Sequence, residues 1–234
     1  MKDNYHLSLA TVERYKVALQ SFYHWLLDEG FVEFNPMSKV KIAKPDRKLV
    51  QSLSPQQMSQ LLSSFDGRGI EDYRNKAIVM VLLDTGLRCS ELTNLKLQDV
   101  DTKRGIIKVM GKGRRERLAR VGLKTQKALW HYVVRRGDSS CDYLWLNQRG
   151  ERLTRYGTEQ MLCKLGRKLG FRLYPHLLRH SFAITFLRNG ANTFEVQYAL
   201  GHSSLEMTRR YCSSLSFDDV YSRHQLASPI DNLK

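Results

Sequence analysis

The sequence predicts a mostly α-helical protein with one small antiparallel β-sheet, and three observations point there. Most of the chain repeats its apolar residues at three- and four-residue intervals between capping residues. The stretch LKLQDVDTKRGIIKVMGKGRRERLARVG changes period to short apolar runs around Gly111-Lys112-Gly113, and the helical period then returns. With 42% hydrophobic content, 234 residues suffice for one main core, or for a main core and a small satellite.

Val12, Tyr15, Leu19, Phe22 and Leu26 lie along one face of a helix that begins near Leu9 and stops at Gly30. FVEFNPMSKVKIAKPDRKLVQS then carries Pro36 and Pro45 among Lys39, Lys41, Lys44, Arg47 and Lys48, and reads as an extended basic linker. The expected organisation is an N-terminal helical segment over 1–36, a linker over 37–53 and a main domain over 54–234. One or two helices cannot hide their own apolar stripe, so the N-terminal segment is expected to be part of a domain or to pack on something else.

Ser54-Pro55-Gln56-Gln57 is a helix start, with an N-cap serine, proline in the first turn and a capping-box glutamine. NKAIVMVLLDTG, 75–86, is apolar almost all round and ends in glycine, which predicts a buried central helix with Arg88 just past its end. Ile106, Ile107, Val109, Leu118 and Val121 predict the sheet, with Lys112 at a hairpin tip. Helices follow at about 124–136, 156–169, 175–189, 193–200 and 204–213, with a last candidate at 217–226. Asn192 with Glu195 and Ser203 with Glu206 form capping boxes for two of them.

Lys and Arg number 38 against 23 Asp and Glu, a formal charge of +15, which points to a polyanionic partner. No apolar run approaches the roughly 18 residues of a membrane span, so nucleic acid is favoured over a membrane as that partner. Cys89, Cys141, Cys163 and Cys212 are scattered without a close pair, which suits neither a disulfide framework nor a zinc site. Residues 1–8 lack the apolar core of a signal peptide, so a cytoplasmic protein with reduced thiols is expected.

Within YPHLLRHSFAITFLRNGANTFEVQYALGHSSLEMTRRY, 174–211, Pro175 at a first helical position sets His176 and Arg179 on one face at a helix start, where backbone N–H groups favour an anion. Taken singly, each polar residue also has a plainer reading. His176 and His202 could cap helices, Arg179 could be a solvated charge, and Tyr211 a core aromatic. Arg88 could pair with Glu91 on the surface, and Lys112 could be a polar hairpin residue.

Taken together, Arg88, Lys112, His176, Arg179, His202 and Tyr211 occur in an order and context that resemble the tyrosine recombinase (phage integrase) family. The resemblance rests on TGLRCSEL at 85–92, GKGRRERLARV at 111–121, HLLRHSFAI at 176–184 and LGHSSLEMTRRY at 200–211. It spans 54–214 and extends to the helix-and-linker pattern TVERYKVALQSFYHWLLDEGFVEFNP, with three residues from His176 to Arg179 and nine from His202 to Tyr211. It implies that Tyr211 attacks a DNA phosphodiester, forming a 3′-phosphotyrosyl bond and releasing a 5′-hydroxyl, with no metal, cofactor or ATP.

By the same resemblance, Arg88 and Arg179 would clamp the non-bridging oxygens, Lys112 would protonate the leaving oxygen, His176 would act as general acid/base for Tyr211, and His202 would donate to the phosphate. These roles fit their chemistry. A phenol needs a proton acceptor at neutral pH, and a transition state gaining negative charge needs fixed donors, which planar guanidiniums supply in pairs. Glu91, one turn after Arg88, is the expected carboxylate that orients an arginine or histidine. Arg114, Arg115, Arg117 and Arg120, with the linker's Lys39, Lys41, Lys44, Arg47 and Lys48, are expected to contact phosphates.

The family's usual N-terminal helical domain is represented here by only a helix or two, so a shortened DNA clasp is expected. A homotetramer on DNA is the assembly the resemblance implies, and the short N-terminal segment leaves room for an accessory protein to supply binding surface. Besides a site-specific recombinase or integrase, the sequence leaves open an accessory DNA-binding protein or inactive recombinase fragment, and a type IB topoisomerase-like relaxing enzyme.

Overall fold

The computed structural model describes residues 7–41, 50–111 and 116–216, together with 219, 221 and 228. The chain divides into two compact units, Met1–Lys48 and Leu49–Lys234. In the first, α1 (Leu9–Asp28) starts at Ser8, whose Oγ accepts from the Thr11 N–H at 3.2 Å. Trp25 lies 6.2 Å from Phe22 and 6.1 Å from Phe31, ring centre to ring centre. A 3-10 turn, Pro36–Lys39, follows, capped by the Asn35 side chain, which accepts from the Met37 N–H.

The second unit is mostly helical with a three-stranded antiparallel sheet. Its first helix, α2 (Pro55–Ser63), has the full capping box: the Gln57 N–H donates to Ser54 Oγ at 3.1 Å and the Ser54 N–H to Gln57 Oε1 at 2.9 Å. The central helix α3 (Ile70–Thr85) begins five residues before the apolar run, because Glu71 and Asp72 place carboxylates on its positive end. Ala77, Ile78, Val79, Val81 and Leu82 on α3 are fully buried.

Three short elements of this unit were not anticipated: the helix α4 (Cys89–Thr93), a 3-10 turn (Leu97–Asp99) and the strand β1 (Val100–Asp101). β1 pairs with β2 (Ile106–Met110), and β2 with β3 (Glu116–Arg120). The register sets Val109 opposite Arg117 and Lys108 opposite Leu118. Residues directly opposite share a sheet face, so Arg117 points inward with the buried Val109. Leu118, expected among the sheet's apolar residues, points outward and is 60% exposed.

Helices α5 (Leu123–Arg136), α6 (Arg155–Leu169), α7 (Pro175–Arg188) and α8 (Thr193–Leu200) fall within a residue of expectation. Asn192 and Glu195 make both bonds of their capping box. The expected box of Ser203 with Glu206 does not form. α9 (Leu205–Cys212) starts after Ser204 without a side-chain cap, and the turn is fixed instead by His202, whose Nδ1 pairs with Thr208 Oγ1 at 2.8 Å. The candidate helix at 217–226 lies outside the described residues except at 219 and 221.

α3 packs against α5 and α7. Leu82, Leu129 and Trp145 belong to the larger apolar cluster, while Phe182, Leu187, Val196, Leu200 and Tyr211 form a second beside it. α7 contributes to both, with Leu177 and Leu178 in the first and Phe182 onward in the second. Its polar residues are therefore held between two packed bodies. Among the described residues no helix is long and apolar enough to cross a membrane.

Candidate active site

The site forms where the C-terminal ends of α3 and α8 meet the first turns of α7. Gly86 ends α3 in the left-handed region at φ 61°, and a Cβ there would run into the Phe182 ring and Leu200. That glycine lets α3 stop against α7 and α8 and turn the chain into Arg88.

Arg179, 4% exposed, donates through Nη1 to the Gly86 carbonyl and through Nη2 to the Leu200 carbonyl at 2.9 Å. Those are carbonyls at the ends of α3 and α8, where helices leave acceptors unpaired and carry negative charge. Burial, then the nearby Arg88, brings the Arg179 guanidinium down to about 10, so it remains charged at neutral pH.

Arg88 sits at the N-cap of α4 and bonds Glu91 twice, backbone N–H to Oε2 at 2.8 Å and Nη1 to Oε1 at 3.0 Å. Arg117 grips the same carboxylate with Nη1 and Nη2 at 3.0 and 2.9 Å, and its Nε lies 3.4 Å from the Ala199 carbonyl. Its inward strand position explains this. With its fork on Glu91 and its side chain 11% exposed, Arg117 is a fixed member of the site's framework, not a side chain free to contact a phosphate as expected.

Burial alone would raise the Glu91 carboxyl, but Arg117 and Arg88 outweigh it and hold the group below its ordinary range. Glu91→Gln leaves the nearly buried Arg117 guanidinium without its counter-charge and should cost about 3 kcal/mol of stability. Because the folded-state pKa is lowered, the stabilisation is fully present above the ordinary glutamate pKa and is lost as pH falls through the lowered value. The Tm difference between wild type and Glu91→Gln should therefore be largest near neutrality and shrink in acid; a constant difference would contradict the ion-pair account.

Tyr211, 2% exposed, lies in the second apolar cluster with its ring stacked on His202, 6.2 Å between centres. Burial pushes its phenol up, against the pull of Arg179 and Arg210. His202 is brought down to about 4 by burial, then by Arg179 and Arg88, and so is neutral at physiological pH. With Nδ1 paired to Thr208, Nε2 is the ring nitrogen left to meet a ligand. His176 lies near the start of α7, exposed at its surface but with its ring partly shielded from water, and that desolvation, then Arg179, lowers its pKa.

Arg88, Glu91, Arg179, His202 and Tyr211 thus converge, and His176 borders them. Tyr211 is met by a histidine that sequence reasoning did not single out: His180, whose Nδ1 is 3.0 Å from the Tyr211 oxygen. His180 is one turn from His176 on the same helix, ring centres 6.3 Å apart, so the i,i+4 spacing was the available signal. Lys39 and Lys41 lie at and just past the 3-10 turn of the first unit. Lys112, Arg114, Arg115, Lys44, Arg47 and Lys48 fall outside the described residues.

Residues 51–216 match the model of the Phage integrase family. The chain is 34% identical over 223 residues to the tyrosine recombinase XerD of Listeria innocua, covering 91% of this chain and 75% of that protein. It is 36% identical over 214 residues to the tyrosine recombinase XerC of Oceanobacillus iheyensis, covering 88% and 70%. Among solved structures, it resembles the XerA recombinase with TM-score 0.69 and 31% identity, covering 97% of this chain and 86% of that one. It also resembles the XerH site-specific recombinase bound to palindromic difH substrate in a post-cleavage complex, with TM-score 0.78 and 25% identity, covering 97% and 69%.

Proposed function

Because the chain belongs to the phage integrase family of tyrosine recombinases, we propose that its convergent site is where it cleaves and rejoins DNA as a site-specific recombinase, with Tyr211 as nucleophile. The observation that carries the assignment is the meeting of Tyr211 with His202 and Arg179, residues from separate segments, in a site where Arg88 adds a second guanidinium. Attack of the phenol oxygen forms a 3′-phosphotyrosyl bond and releases a 5′-hydroxyl. A 5′-hydroxyl from another strand reverses the step, so the phosphodiester energy is conserved without ATP or metal.

Arg88 and Arg179 bind the non-bridging oxygens and stabilise their growing charge, and His202 adds a neutral donor through Nε2. His176, exposed at the helix start, borders the phosphate seat. Lys112 protonates the leaving oxygen, an assignment that rests on its place in GKGRRERLARV. Lys39, Lys41, Lys44, Arg47, Lys48, Arg114 and Arg115 contact phosphates and position the duplex. The working form is a tetramer on double-stranded DNA in the cytoplasm, with an accessory protein as a further partner, and residues 54–234 act as the catalytic domain. The recombinase relatives lend no support to an accessory binder or a relaxing enzyme.

The test is covalent capture. Purified protein mixed with labelled duplexes carrying a nick beside the scissile phosphate, so that the cleaved end diffuses away, should give a band that survives denaturation. Peptide mapping should find the nucleotide on Tyr211. Binding on a native gel with no denaturation-resistant band would reject the enzymatic reading for this chain.

A further inference from the structure

The contact between His180 and Tyr211 falls outside the roles drawn from the family's motif. The Tyr211 hydroxyl has two polar neighbours of opposite character. Arg179 is charged, lowers the phenol's pKa and has only donors, so it can serve only the phenol oxygen's lone pairs. His180 Nδ1, at 3.0 Å, is then the group toward which the phenol O–H points, with the imidazole in the tautomer protonated at Nε2. His176, to which the resemblance gives the acid/base role, stands a turn away on α7 and is exposed, and among the described residues the histidine hydrogen-bonded to the phenol is His180.

We propose that His180 is a further catalytic residue, the base that takes the Tyr211 proton as the phenol oxygen closes on the scissile phosphorus. The inference rests on the reading of Tyr211 as nucleophile. The Tyr211 oxygen forms its bond to phosphorus, the bond from phosphorus to the 5′-oxygen breaks, and the phenol proton passes to His180 Nδ1. The leaving oxygen takes a proton from the acid assigned to Lys112. In the rejoining step the departing tyrosine oxygen takes a proton back through His180, which relays it from solvent.

The surroundings suit a base that acts only when needed. The groups facing His180 are Arg210 and Tyr211 from α9 and His176 and Arg179 from its own helix. Burial, then Arg210, brings its pKa down to about 4, while burial raises that of the phenol. The proton therefore stays on Tyr211 in the resting site, and no phenolate forms in a nearly closed cluster before DNA arrives. Once the oxygen begins to bond to phosphorus its proton becomes strongly acidic, and a neutral base already within hydrogen-bond reach is placed to take it.

The experiment is single-turnover adduct formation on the nicked duplex, at saturating DNA, for wild type, His180→Ala and His180→Asn. Loss of a positioned base should slow His180→Ala by about 10²- to 10⁴-fold, with unchanged DNA binding. Its rate should rise with pH across the neutral range, where the wild-type rate is level, because solvent must now take the proton. Added imidazole should restore part of the rate. His180→Asn, which can hold the hydroxyl but not accept its proton, should be as slow as His180→Ala.

Full activity in His180→Asn would reduce the residue to a positioning contact and overturn the proposal. So would a His180→Ala rate equal to or above wild type, the result expected of a latch on the tyrosine, or a loss unrelieved by imidazole and level in pH. If wild type itself forms no adduct through Tyr211, the failure lies with the nucleophile assignment.

Discussion

Tyr211→Phe should form no covalent DNA adduct at all while binding the same duplex with unchanged affinity. The substitution removes one oxygen and little else. The ring is 2% exposed and packs with Phe182, Leu187, Val196 and Leu200, contacts that phenylalanine keeps. The lost hydrogen bond to His180 should cost about 1 kcal/mol, too little to unfold the domain. Cleavage requires an oxygen able to bond to phosphorus, so its loss is a loss of mechanism and not of efficiency. Tyr198, another tyrosine in this part of the chain, is 70% exposed on α8. A denaturation-resistant band from Tyr211→Phe would transfer the nucleophile to another residue.

The helices were legible because their signals are local. Ser54 with Gln57 and Asn192 with Glu195 announce helix starts within four residues, and both boxes form as read. Gly86 was legible as a stop for α3, although its second reason, the Phe182 ring and Leu200 pressed against it, comes from far along the chain. α4 was missed because Cys89–Thr93 is too short to establish a period. The Ser203 box does not form because α9 starts one residue later, after Ser204, and the turn carries the His202–Thr208 pair instead.

The site divides along the same line. Arg88, Arg179, His202 and Tyr211 stand out in the sequence only together, through the resemblance of their motifs to the family's, with Glu91 one turn after Arg88, and the fold brings those motifs together. Arg117 looked like its basic neighbours because its partner, Glu91, is 26 residues away. Strand parity contained the missing information: Arg117 and Ala119 alternate inward with register partners Val109 and Ile107, whereas Leu118 on the outer face had suggested the opposite phase. His180 was passed over because HLLRH offers two histidines, and sequence alone does not say which one α9 will approach.

Arg179→Lys should retain the positive charge and still lose at least 10²- to 10³-fold in single-turnover cleavage. The guanidinium satisfies the Gly86 and Leu200 carbonyls with two of its N–H groups, which leaves its remaining donors for Tyr211 and, in the proposed function, for the phosphate. A lysine ammonium is a single point on a flexible stem, unable to tie two helix ends while holding a fixed fork toward the phosphorane-like transition state. Two backbone carbonyls would be left competing for it, so Tm should fall as well, by an amount corresponding to about 1–3 kcal/mol. Comparing rates at saturating DNA separates the chemical loss from weakened binding. Cleavage within tenfold of wild type would mean that charge alone suffices at this position, and that the transition-state oxygens are held by Arg88 and His202.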